Sequence, residues 1–521
     1  MSLLKNVGTI GGLTMVSRVF GFARDILLAR VLGAGGVADA WQLAFQLPNI
    51  FRRLFAEGAF ASAFVPLFNR HMTDGESEAR RFASEVLAIL LPILILFGAI
   101  IMFAMPWILY QFSSDELAAD PENFPLAVTM GRIAFPYLLF MSLATLTAAV
   151  LNSLSRFAAA AAAPIILNIC LLTALTWGLL QGDGENTRQA TGLWLAIAVS
   201  VSGLLQLAWL TFWMRRGGFT IPLSRPRITD RVKELGILVL PAIFGAGVYQ
   251  ISRFIDLVFL GVLPEGSITY LAMADRWNQL PLGIIGIALG TAILPALSRF
   301  IAREEGEQAQ RLQSNAVELA MLLTVPAAVA LFFTGSAFVR VFMQGGEFTA
   351  SDAAITGTVV SGLVIGLPAY VLVKVLTPNF FARRDTRTPV YTAAVSLLVT
   401  VGLNLLLVPR IGVLALAVSG AIGAWTNTAL LYFILVRRGF FKLTARVVSR
   451  LLRIALAAAA MGAVLWWLMG RIDPWFWATL GEGLAGLALL GAAGLATYGA
   501  GAALLGVLDR STVQRLMRRQ T

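Results

Sequence analysis

Charged residues are scarce in this chain of 521 residues: they make up 13% of it, whereas 58% of it is hydrophobic. A soluble protein carries about a quarter charged residues, so this composition argues against a soluble enzyme or binding domain. Apolar stretches of about 20 residues recur along the whole chain, which predicts an all-α polytopic membrane protein. A membrane β-barrel would instead show short segments of alternating polarity.

Cysteine and histidine occur once each, as Cys170 and His71. A single cysteine excludes a disulfide within the chain, and one cysteine with one histidine argues against a transition-metal site. His71 lies in a charged stretch, where we expect it to be solvated rather than a ligand. The first residues, MSLLKNVG, lack a short apolar region that ends in a small-residue cleavage site, so we expect them to be retained.

We predict fourteen membrane-spanning segments, separated by short turns such as 33–36 and 263–266 that contain glycine or proline. Their approximate bounds are 7–33, 37–69, 82–111, 125–152, 158–181, 190–214, 234–262, 268–298, 312–343, 350–381, 389–407, 413–436, 447–469 and 476–507.

The positive charges lie mostly on one side of these segments. With the N-terminus inside, 27 lysines and arginines fall in the inner loops and termini, and three fall in the outer loops: Arg188, Arg410 and Arg471. Because positive charge is retained on the cytoplasmic side, this distribution predicts that both termini are cytoplasmic. The net charge of +12 therefore reflects membrane topology rather than a surface for nucleic acid.

Ten lysines and arginines fall inside the predicted spans. A charge at the bilayer centre costs at least about 2.5–3.5 kcal/mol on insertion scales, so such residues need a partner or a polar cavity. Only five acids lie at comparable depth, so the cations cannot pair one to one, and the surplus indicates an anionic ligand. The cations are Arg18, Arg24, Arg30, Arg52, Arg53, Arg132, Arg253, Arg276, Arg340 and Lys374, and the acids are Asp25, Asp39, Glu57, Asp256 and Asp275.

The sequence contains an internal repeat with an offset of 229 residues. ASAFVPLFNR (61–70) aligns with GTAILPALSR (290–299), so that proline and arginine recur in register. Each copy ends the second span of a six-span unit, and an even number of spans separates the copies. The two units therefore share one orientation, which is typical of transporters built from two parallel halves.

Four of the deep arginines lie too far from a span end to reach the membrane surface: Arg18, Arg24, Arg52 and Arg276. One guanidinium group can bind two phosphate oxygens at once, and it stays charged in any environment. These four arginines therefore suit a pyrophosphate or another anion of high charge density inside the membrane. The alternative is interhelical ion pairing, which leaves the surplus of cations unexplained. It would join Arg24 to Asp25 or Asp39, Arg52 to Glu57, and Arg276 to Asp275.

The first span holds two of these arginines in SRVFGFARD (17–25). Seven residues separate Arg18 from Asp25, so the two share a helix face, whereas Arg18 and Arg24 are about 240° apart. A bend at Gly21, or side chains that curl inward, would be needed to aim both arginines at one point.

At these residues the sequence resembles a known family. SRVFGFARDILLARVLGAG, DAWQLAFQLPNIFRRLFAEGAFASAFVP and ADRWNQLPLGIIGIALGTAILPALS closely resemble the MurJ (MviN) family of bacterial lipid II flippases. That family belongs to the multidrug/oligosaccharidyl-lipid/polysaccharide exporter superfamily. The resemblance runs along essentially the whole chain, and FRRLFAEGAF is its most specific block.

The resemblance implies an architecture of about 14 transmembrane helices around a central cationic cavity. Two six-helix lobes (1–216 and 217–440) would form the parallel repeat, and two extra helices with a cytoplasmic tail (441–521) would form a hydrophobic groove. The family's cavity arginines map onto Arg18, Arg24, Arg52 and Arg276. Gating or counter-charge roles fall to Asp25, Asp39, Arg53, Glu57 and Asp275.

The resemblance also implies a function in the bacterial inner membrane. The protein would flip lipid II, an undecaprenyl-pyrophosphate-linked disaccharide-pentapeptide, to the periplasmic leaflet by alternating access. We expect no catalytic residue, metal or cofactor, a monomer, and contact with the cell-wall synthesis machinery. Coupling to the membrane potential or to a monovalent cation stays open. A sodium site described for some members does not map cleanly, because Asp256 is the only deep acid in the seventh span.

Three other functions fit parts of the pattern. A flippase for another polyprenyl-linked oligosaccharide would share the cationic cavity. A multidrug or cation antiporter of the same superfamily would favour acidic residues in its cavity. A membrane-embedded enzyme acting on prenyl pyrophosphates would need clustered acids for Mg²⁺ or a nucleophile, and the sequence shows no such motif.

Overall fold

The computed structural model describes residues 3–55 and 59–507, which form helices joined by short loops, with no β-strand among them. In chain order the helices are α1 (Leu3–Leu32), α2 (Gly36–Phe55), α3 (Ala59–Asp74), α4 (Glu76–Phe112), α5 (Asp115–Ala119), α6 (Asn123–Ala134), α7 (Pro136–Ser153), α8 (Phe157–Gln181), α9 (Glu185–Arg216), α10 (Asp230–Leu260), α11 (Ser267–Pro281), α12 (Ile287–Ala302), α13 (Gly306–Met343), α14 (Ala350–Val364), α15 (Leu367–Ala382), α16 (Arg387–Ile411), α17 (Leu414–Arg437), α18 (Ala445–Ile472) and α19 (Leu480–Leu504). A π-helical turn (Leu282–Gly286) joins α11 to α12, and a 3₁₀ turn (Asp473–Phe476) follows α18.

These helices follow the predicted spans in order, and the prediction of an all-α polytopic membrane protein is confirmed. Within the described residues, ten helical segments are long and apolar enough to cross a membrane. The other predicted spans correspond to α1, to α2 with α3, to α10, and to α11 with α12. These four hold most of the deep charged residues, so the charges are concentrated in a few helices.

The chain divides into two compact units. Unit 1 comprises Met1–Thr269 and the short segment Gly345–Phe348, and unit 2 comprises Tyr270–Gln344 and Thr349–Thr521. In unit 1, α8 packs along both α1 and α9, and α10 packs against α2, α3 and α4. In unit 2, α13 packs against α12, α14, α15 and α18, while α16 and α17 form a hairpin.

An aromatic stack forms the core of unit 1 near the end of α3. The rings of Phe64 and Phe68 lie 5.5 Å apart, the ring of Phe82 stacks on Phe64 at 5.4 Å, and Phe219 meets Phe68 edge-on at 5.6 Å. Such pairs contribute about 0.5–1.5 kcal/mol each beyond the area they bury. The stack therefore fixes α3, α4 and the loop after α9 against one another.

His71 continues this buried face, so the prediction that it is solvated was wrong. It lies inside α3, is 8% exposed, and its ring centre is 4.8 Å from that of Phe82. The helical repeat places His71 on the face of Phe68, three residues earlier. Burial lowers the pKa of His71, and Arg231 and Arg70 lower it further, against the opposing effect of Asp74 and Glu234.

Side chains of α13 hold the last two helices in unit 2. Arg340 Nη1 donates to Oδ1 of Asp473 at 2.7 Å and lies 4.3 Å from the ring centre of Trp477. Near the middle of α13, the Tyr498 hydroxyl donates to the Leu322 carbonyl at 2.8 Å. These contacts fix both ends of the pair formed by α18 and α19 along α13.

The backbone of the two units shows the repeat found in the sequence. The fourth predicted span is interrupted at Phe135, between α6 and α7, and the tenth at 365–366, between α14 and α15. Ser155 and Arg384, 229 residues apart, both have a φ of 60°, an uncommon value for residues other than glycine. Matching turns at matching offsets support two copies of one architectural unit.

Candidate functional site

Arg24 on α1 is held by side chains from two helices of unit 1. Its Nε and Nη2 donate to Oδ1 of Asp25 at 3.0 and 2.6 Å, and its Nη1 donates to Oδ1 of Asn168 on α8 at 2.9 Å. The Arg24 and Asp25 side chains are only 12% and 7% exposed. Of the two acids considered as partners for Arg24, the structure therefore pairs it with Asp25.

Asn168 is the residue that the sequence analysis missed. It is 6% exposed, and its Nδ2 donates to the backbone carbonyl of Ser17 at 3.0 Å. A Cβ atom at Gly21 would lie 3.7 Å from that Nδ2, so the amide packs directly on the glycine. The available signal was an asparagine within the apolar run PIILNICLL of α8. One amide thus joins the two ends of SRVFGFARD.

Arg18 is half-buried, but unlike Arg24 it is unpaired. It makes no hydrogen bond or ion pair with any residue that the structure describes. It precedes Arg24 by six residues, which is about 9 Å along the helix. Because α1 is continuous from Leu3 to Leu32, the helix is not interrupted at Gly21. An unpaired guanidinium inside a predicted span is a candidate site for an anion.

The cations of α2 lie near the end of that helix. Arg52 Nε donates to Oδ1 of Asn49 at 3.3 Å, and Asn49 Nδ2 donates to the Phe45 carbonyl at 3.1 Å. Arg53 is exposed. Glu57, the predicted partner of Arg52, lies outside the described residues, so that pairing stays a prediction.

Asp39 lies in the first turn of α2 and is 4% exposed. Its Oδ2 accepts from the Gly266 amide at 2.7 Å, and its Oδ1 accepts from the amide and hydroxyl of Thr269 at 2.9 and 2.6 Å. A carboxylate on the free amides of a helix start acts as an N-cap. In this structure Asp39 fixes the backbone around Ser267 instead of binding Arg24.

Unit 2 carries its own charged residues at membrane depth. Asp275 and Arg276 are half-buried on α11, and Gln279 Nε2 donates to Oδ2 of Asp275 at 2.6 Å. Lys374 on α15 is exposed, and a Cβ at Gly286 in the π-helical turn would lie 3.2 Å from its Cδ. The lysine stem therefore packs on that glycine. Lys374 falls inside a predicted span but is not among the predicted site residues.

The segment Gly345–Phe348 is fastened to the C-terminal end of α1. The Glu347 amide donates to the Arg30 carbonyl at 2.9 Å, and Arg188 Nη1 donates to Oε2 of Glu347 at 2.6 Å. A Cβ at Gly346 would lie 2.3 Å from the Arg30 carbonyl oxygen. Only glycine allows this close backbone approach.

Each unit presents cations inside predicted spans: unit 1 has Arg18, Arg24 and Arg52 on α1 and α2, and unit 2 has Arg276 and Lys374 on α11 and α15. Among the described residues, no group of three or more histidine, cysteine, aspartate or glutamate side chains is arranged to hold a metal ion.

The fold resembles those of solved membrane proteins. It is similar to that of an inward-facing multidrug resistance MATE family transporter of the MOP superfamily, with a TM-score of 0.68 at 13% identity over 82% of this chain and 97% of that one. It is also similar to a structure described as lipid II flippase MurJ in an inward closed conformation. There the TM-score is 0.77 at 23% identity, over 98% of this chain and 99% of that chain.

The family follows from the sequence comparisons. The family model described as lipid II flippase MurJ matches residues 28–485. A probable lipid II flippase MurJ of Rhizobium meliloti (strain 1021) is 40% identical over 100% of this chain and 97% of its own length. The lipid II flippase MurJ of Burkholderia cenocepacia is 33% identical over 91% of each chain. This chain therefore belongs to the lipid II flippase MurJ family: it is an integral inner-membrane transporter and not an enzyme.

Proposed function

We propose that this protein moves lipid II from the cytoplasmic to the periplasmic leaflet by alternating access, with arginines binding the diphosphate. The proposal rests on the environment of Arg18. This cation of a membrane helix is half-buried and has no partner among the described residues. Leaving it uncompensated would cost about 2.5–3.5 kcal/mol, so a bound anion accounts for its presence. The names of the relatives support lipid II as that anion.

The diphosphate is bound by Arg18, Arg24, Arg52 and Arg276. Two phosphate groups offer paired oxygens that match the guanidinium fork. Arg24 is already oriented by Asp25 and Asn168, so it loses little conformational entropy when the anion binds.

Gating follows from exchange of partners around these cations. Asp25 compensates Arg24 when no substrate is bound, and the diphosphate competes with that carboxylate. Asp275 and Glu57 supply further counter-charges, and Arg53 takes part in gating. Asp39, which holds the backbone at Gly266 and Thr269, keeps the first turn of α2 in place during the cycle.

The rest of the proposal concerns the whole transporter. The lobes comprise 1–216 and 217–440, and 441–521 adds the groove helices and the tail. Both termini are cytoplasmic, and the protein acts as a monomer that works beside the cell-wall synthesis machinery. The membrane potential resets the cationic cavity, because moving one charge across is worth about 2.3 kcal/mol per 100 mV. Unchanged transport after collapse of the potential would contradict this coupling.

The decisive experiment uses cells depleted of this protein and supplied with one variant at a time. Lipid II exposed on the outer leaflet is measured with a lipid II-cleaving agent added outside the cells. We compare the wild type with Arg18→Ala and Arg24→Ala at equal abundance. The matched control is Arg311→Ala, which removes an arginine whose side chain is 78% exposed and paired with Glu307.

We expect the wild type and Arg311→Ala to restore the accessibility of lipid II, and Arg18→Ala and Arg24→Ala to leave it low. This result would support both the flippase activity and the role of the arginines. If both site variants restore accessibility as well as the wild type does, the arginine role is wrong. If lipid II is fully accessible in depleted cells, the protein moves another substrate, such as a different polyprenyl-linked oligosaccharide.

A further inference from the structure

The loop between α9 and α10 is fastened to the side of α4. We name this loop, residues 217–229, the strap. Arg80 Nη2 donates to the Gly218 carbonyl at 2.7 Å, and Ser84 Oγ donates to the Pro222 carbonyl at 2.6 Å. The one phenylalanine of the strap is buried in the aromatic stack of unit 1. The strap is therefore part of the packed structure of unit 1.

These hydrogen bonds place the strap at the level where α4 enters the membrane. The third predicted span begins at 82, between Arg80 and Ser84, the two residues that bind the strap. On α9, just before the strap, the ring centres of Trp209 and Trp213 lie 5.6 Å apart, and tryptophan is typical of the membrane–water interface. The strap therefore lies at the membrane surface, on the side that the charge distribution predicts to be cytoplasmic.

Two large aliphatic side chains of the strap point away from the protein. Leu223 is 68% exposed and Ile228 is 71% exposed. Ser224 Oγ donates to the Ser84 carbonyl at 3.2 Å, so Ser224 faces α4. Its neighbours Leu223 and Arg225 point the other way, because successive side chains alternate along an extended chain. At this level the hydrocarbon boundary of the bilayer is the apolar phase that would cover Leu223 and Ile228.

Two unpaired arginines lie between these aliphatic side chains. Arg225 and Arg227 are exposed, and their guanidinium groups make no hydrogen bond or ion pair with any residue that the structure describes. Residues 215–233 carry six lysines and arginines but only one acid, Asp230. A cationic segment at this surface is attracted by the anionic phospholipids of the cytoplasmic leaflet. The strap therefore combines an apolar and a cationic surface, as segments that bind to a membrane interface do.

The corresponding loop of unit 2, between α17 and α18, lacks this surface. It repeats the sequence at the end of α9, since RRGGF (215–219) matches RRGFF (437–441). There Arg438 Nη1 donates to Oδ2 of Asp385 at 2.5 Å, and no large hydrophobic residue among 438–444 is exposed. The exposed aliphatic side chains and unpaired arginines are therefore particular to the strap and do not follow from its place at the end of a six-span unit.

We propose that the strap attaches unit 1 to the anionic phospholipids of the cytoplasmic leaflet. Arg225 and Arg227 bind the headgroup phosphates, because a guanidinium group donates two parallel hydrogen bonds to phosphate oxygens. Leu223 and Ile228 enter the hydrocarbon boundary on either side of them. Since the strap is bonded to α4, this attachment fixes the level of unit 1 in the membrane. It does not depend on which substrate the protein transports.

The test uses the full-length protein with Cys170→Ala and one new cysteine, which carries the fluorophore nitrobenzoxadiazole. The strap label replaces Ile228, and the control label replaces Ser77, which is exposed near the start of α4 and lies outside the strap. Each protein is placed in nanodiscs of phosphatidylcholine, alone or mixed with phosphatidylglycerol. A small fraction of the lipid carries a nitroxide near its headgroup, so quenching of the fluorescence measures contact between label and lipid. A second strap label at Leu223 covers failure of the first protein to fold.

With phosphatidylglycerol present, the strap labels should be quenched several times more strongly than the control label, and without it this difference should shrink. Arg225→Gln combined with Arg227→Gln should reduce the quenching as much as removal of phosphatidylglycerol does. The matched control combines Arg303→Gln with Arg311→Gln, which removes two exposed arginines near an inner loop of unit 2, and should leave the quenching unchanged.

Two results would overturn the proposal. Equal quenching of strap and control labels in both lipid mixtures would mean that the strap faces water, where its arginines are available to a soluble acidic partner. Strong quenching of the strap labels that ignores both phosphatidylglycerol and the double substitution would mean that the contact with lipid is purely apolar. The measurement does not involve transport, so its outcome is independent of the proposed flippase activity.

Discussion

A neutral amide, rather than a second carboxylate, completes the set of groups around Arg24. Asp25 balances the charge of the guanidinium, and Asn168 fixes its orientation without adding charge. We expect Asn168→Asp to abolish flipping, because a second carboxylate would compete with the diphosphate for Arg24. Asn168→Ala should weaken function only in part, since one hydrogen bond to a charged group is worth about 1.5–3 kcal/mol. The measurement is outer-leaflet lipid II in depleted cells.

Asn152→Asp is the matched control for Asn168→Asp, because it adds a carboxylate at an exposed position near the end of α7. It should behave as the wild type. Full activity of Asn168→Asp at normal abundance would show that Asn168 does not influence the charge of the anion site.

His71 should make the protein sensitive to acid. Its pKa in an unfolded chain is about 6.5, and burial lowers it in the folded protein. The unfolded state then binds the proton more tightly, so the stability that His71 contributes is complete above about pH 6.5 and is lost as the pH falls below that value. His71→Phe keeps the stacking on Phe82 without a titrating group.

The thermal midpoint of purified protein in detergent, measured between about pH 7.5 and about pH 5, tests this expectation. The thermal midpoint of the wild type should fall further than that of His71→Phe over that pH interval. Parallel curves for the two proteins would show that His71 is not the group responsible.

At the scale of the helices and loops, the contact between Gly345–Phe348 and α1 depends on glycine for two separable reasons. Gly346 has a φ of +57°, and a Cβ there would lie 2.3 Å from the Arg30 carbonyl oxygen. Gly412 has the same φ of +57° but nothing within 4 Å of an added Cβ. Gly412→Ala should therefore cost only the backbone strain, about 1–3 kcal/mol, whereas Gly346→Ala should cost more.

Unfolding midpoints of the two alanine variants measure the difference. The midpoint of Gly346→Ala should fall further than that of Gly412→Ala, because the added Cβ forces the segment Gly345–Phe348 away from α1. Equal decreases in the unfolding midpoint would mean that backbone conformation alone explains the requirement for glycine. The segment Gly345–Phe348 would then move away from α1 without loss of stability.

The predictability of these elements depends on which physical force sets them. Hydropathy over about 20 residues gives the order and approximate bounds of the helices, because lipid requires apolar side chains and internally bonded backbone. The interruptions at Phe135 and at 365–366 leave hydropathy unchanged and were not predicted. Asn168 and His71 were misjudged for a related reason: their partners come from other helices, and sequence spacing does not reveal those neighbours.

At the scale of the whole molecule, the distribution of positive charge predicts the orientation on which the direction of transport depends. Inner segments carry 27 lysines and arginines and outer loops carry three. Translocating the inner loops would move many cations against the positive-inside preference. The proposed path of the substrate, from the cytoplasmic to the periplasmic leaflet, requires this orientation.

Cysteine labelling in intact cells tests the orientation directly, because Cys170 is the only native cysteine and can be replaced by alanine. A single cysteine is then introduced at Asp183, between α8 and α9, or at Ser77, near the start of α4, and both positions are exposed. A membrane-impermeant maleimide should label the cysteine at position 183 in intact cells, and the one at position 77 only after the membrane is opened. The reverse pattern would place the N-terminus outside.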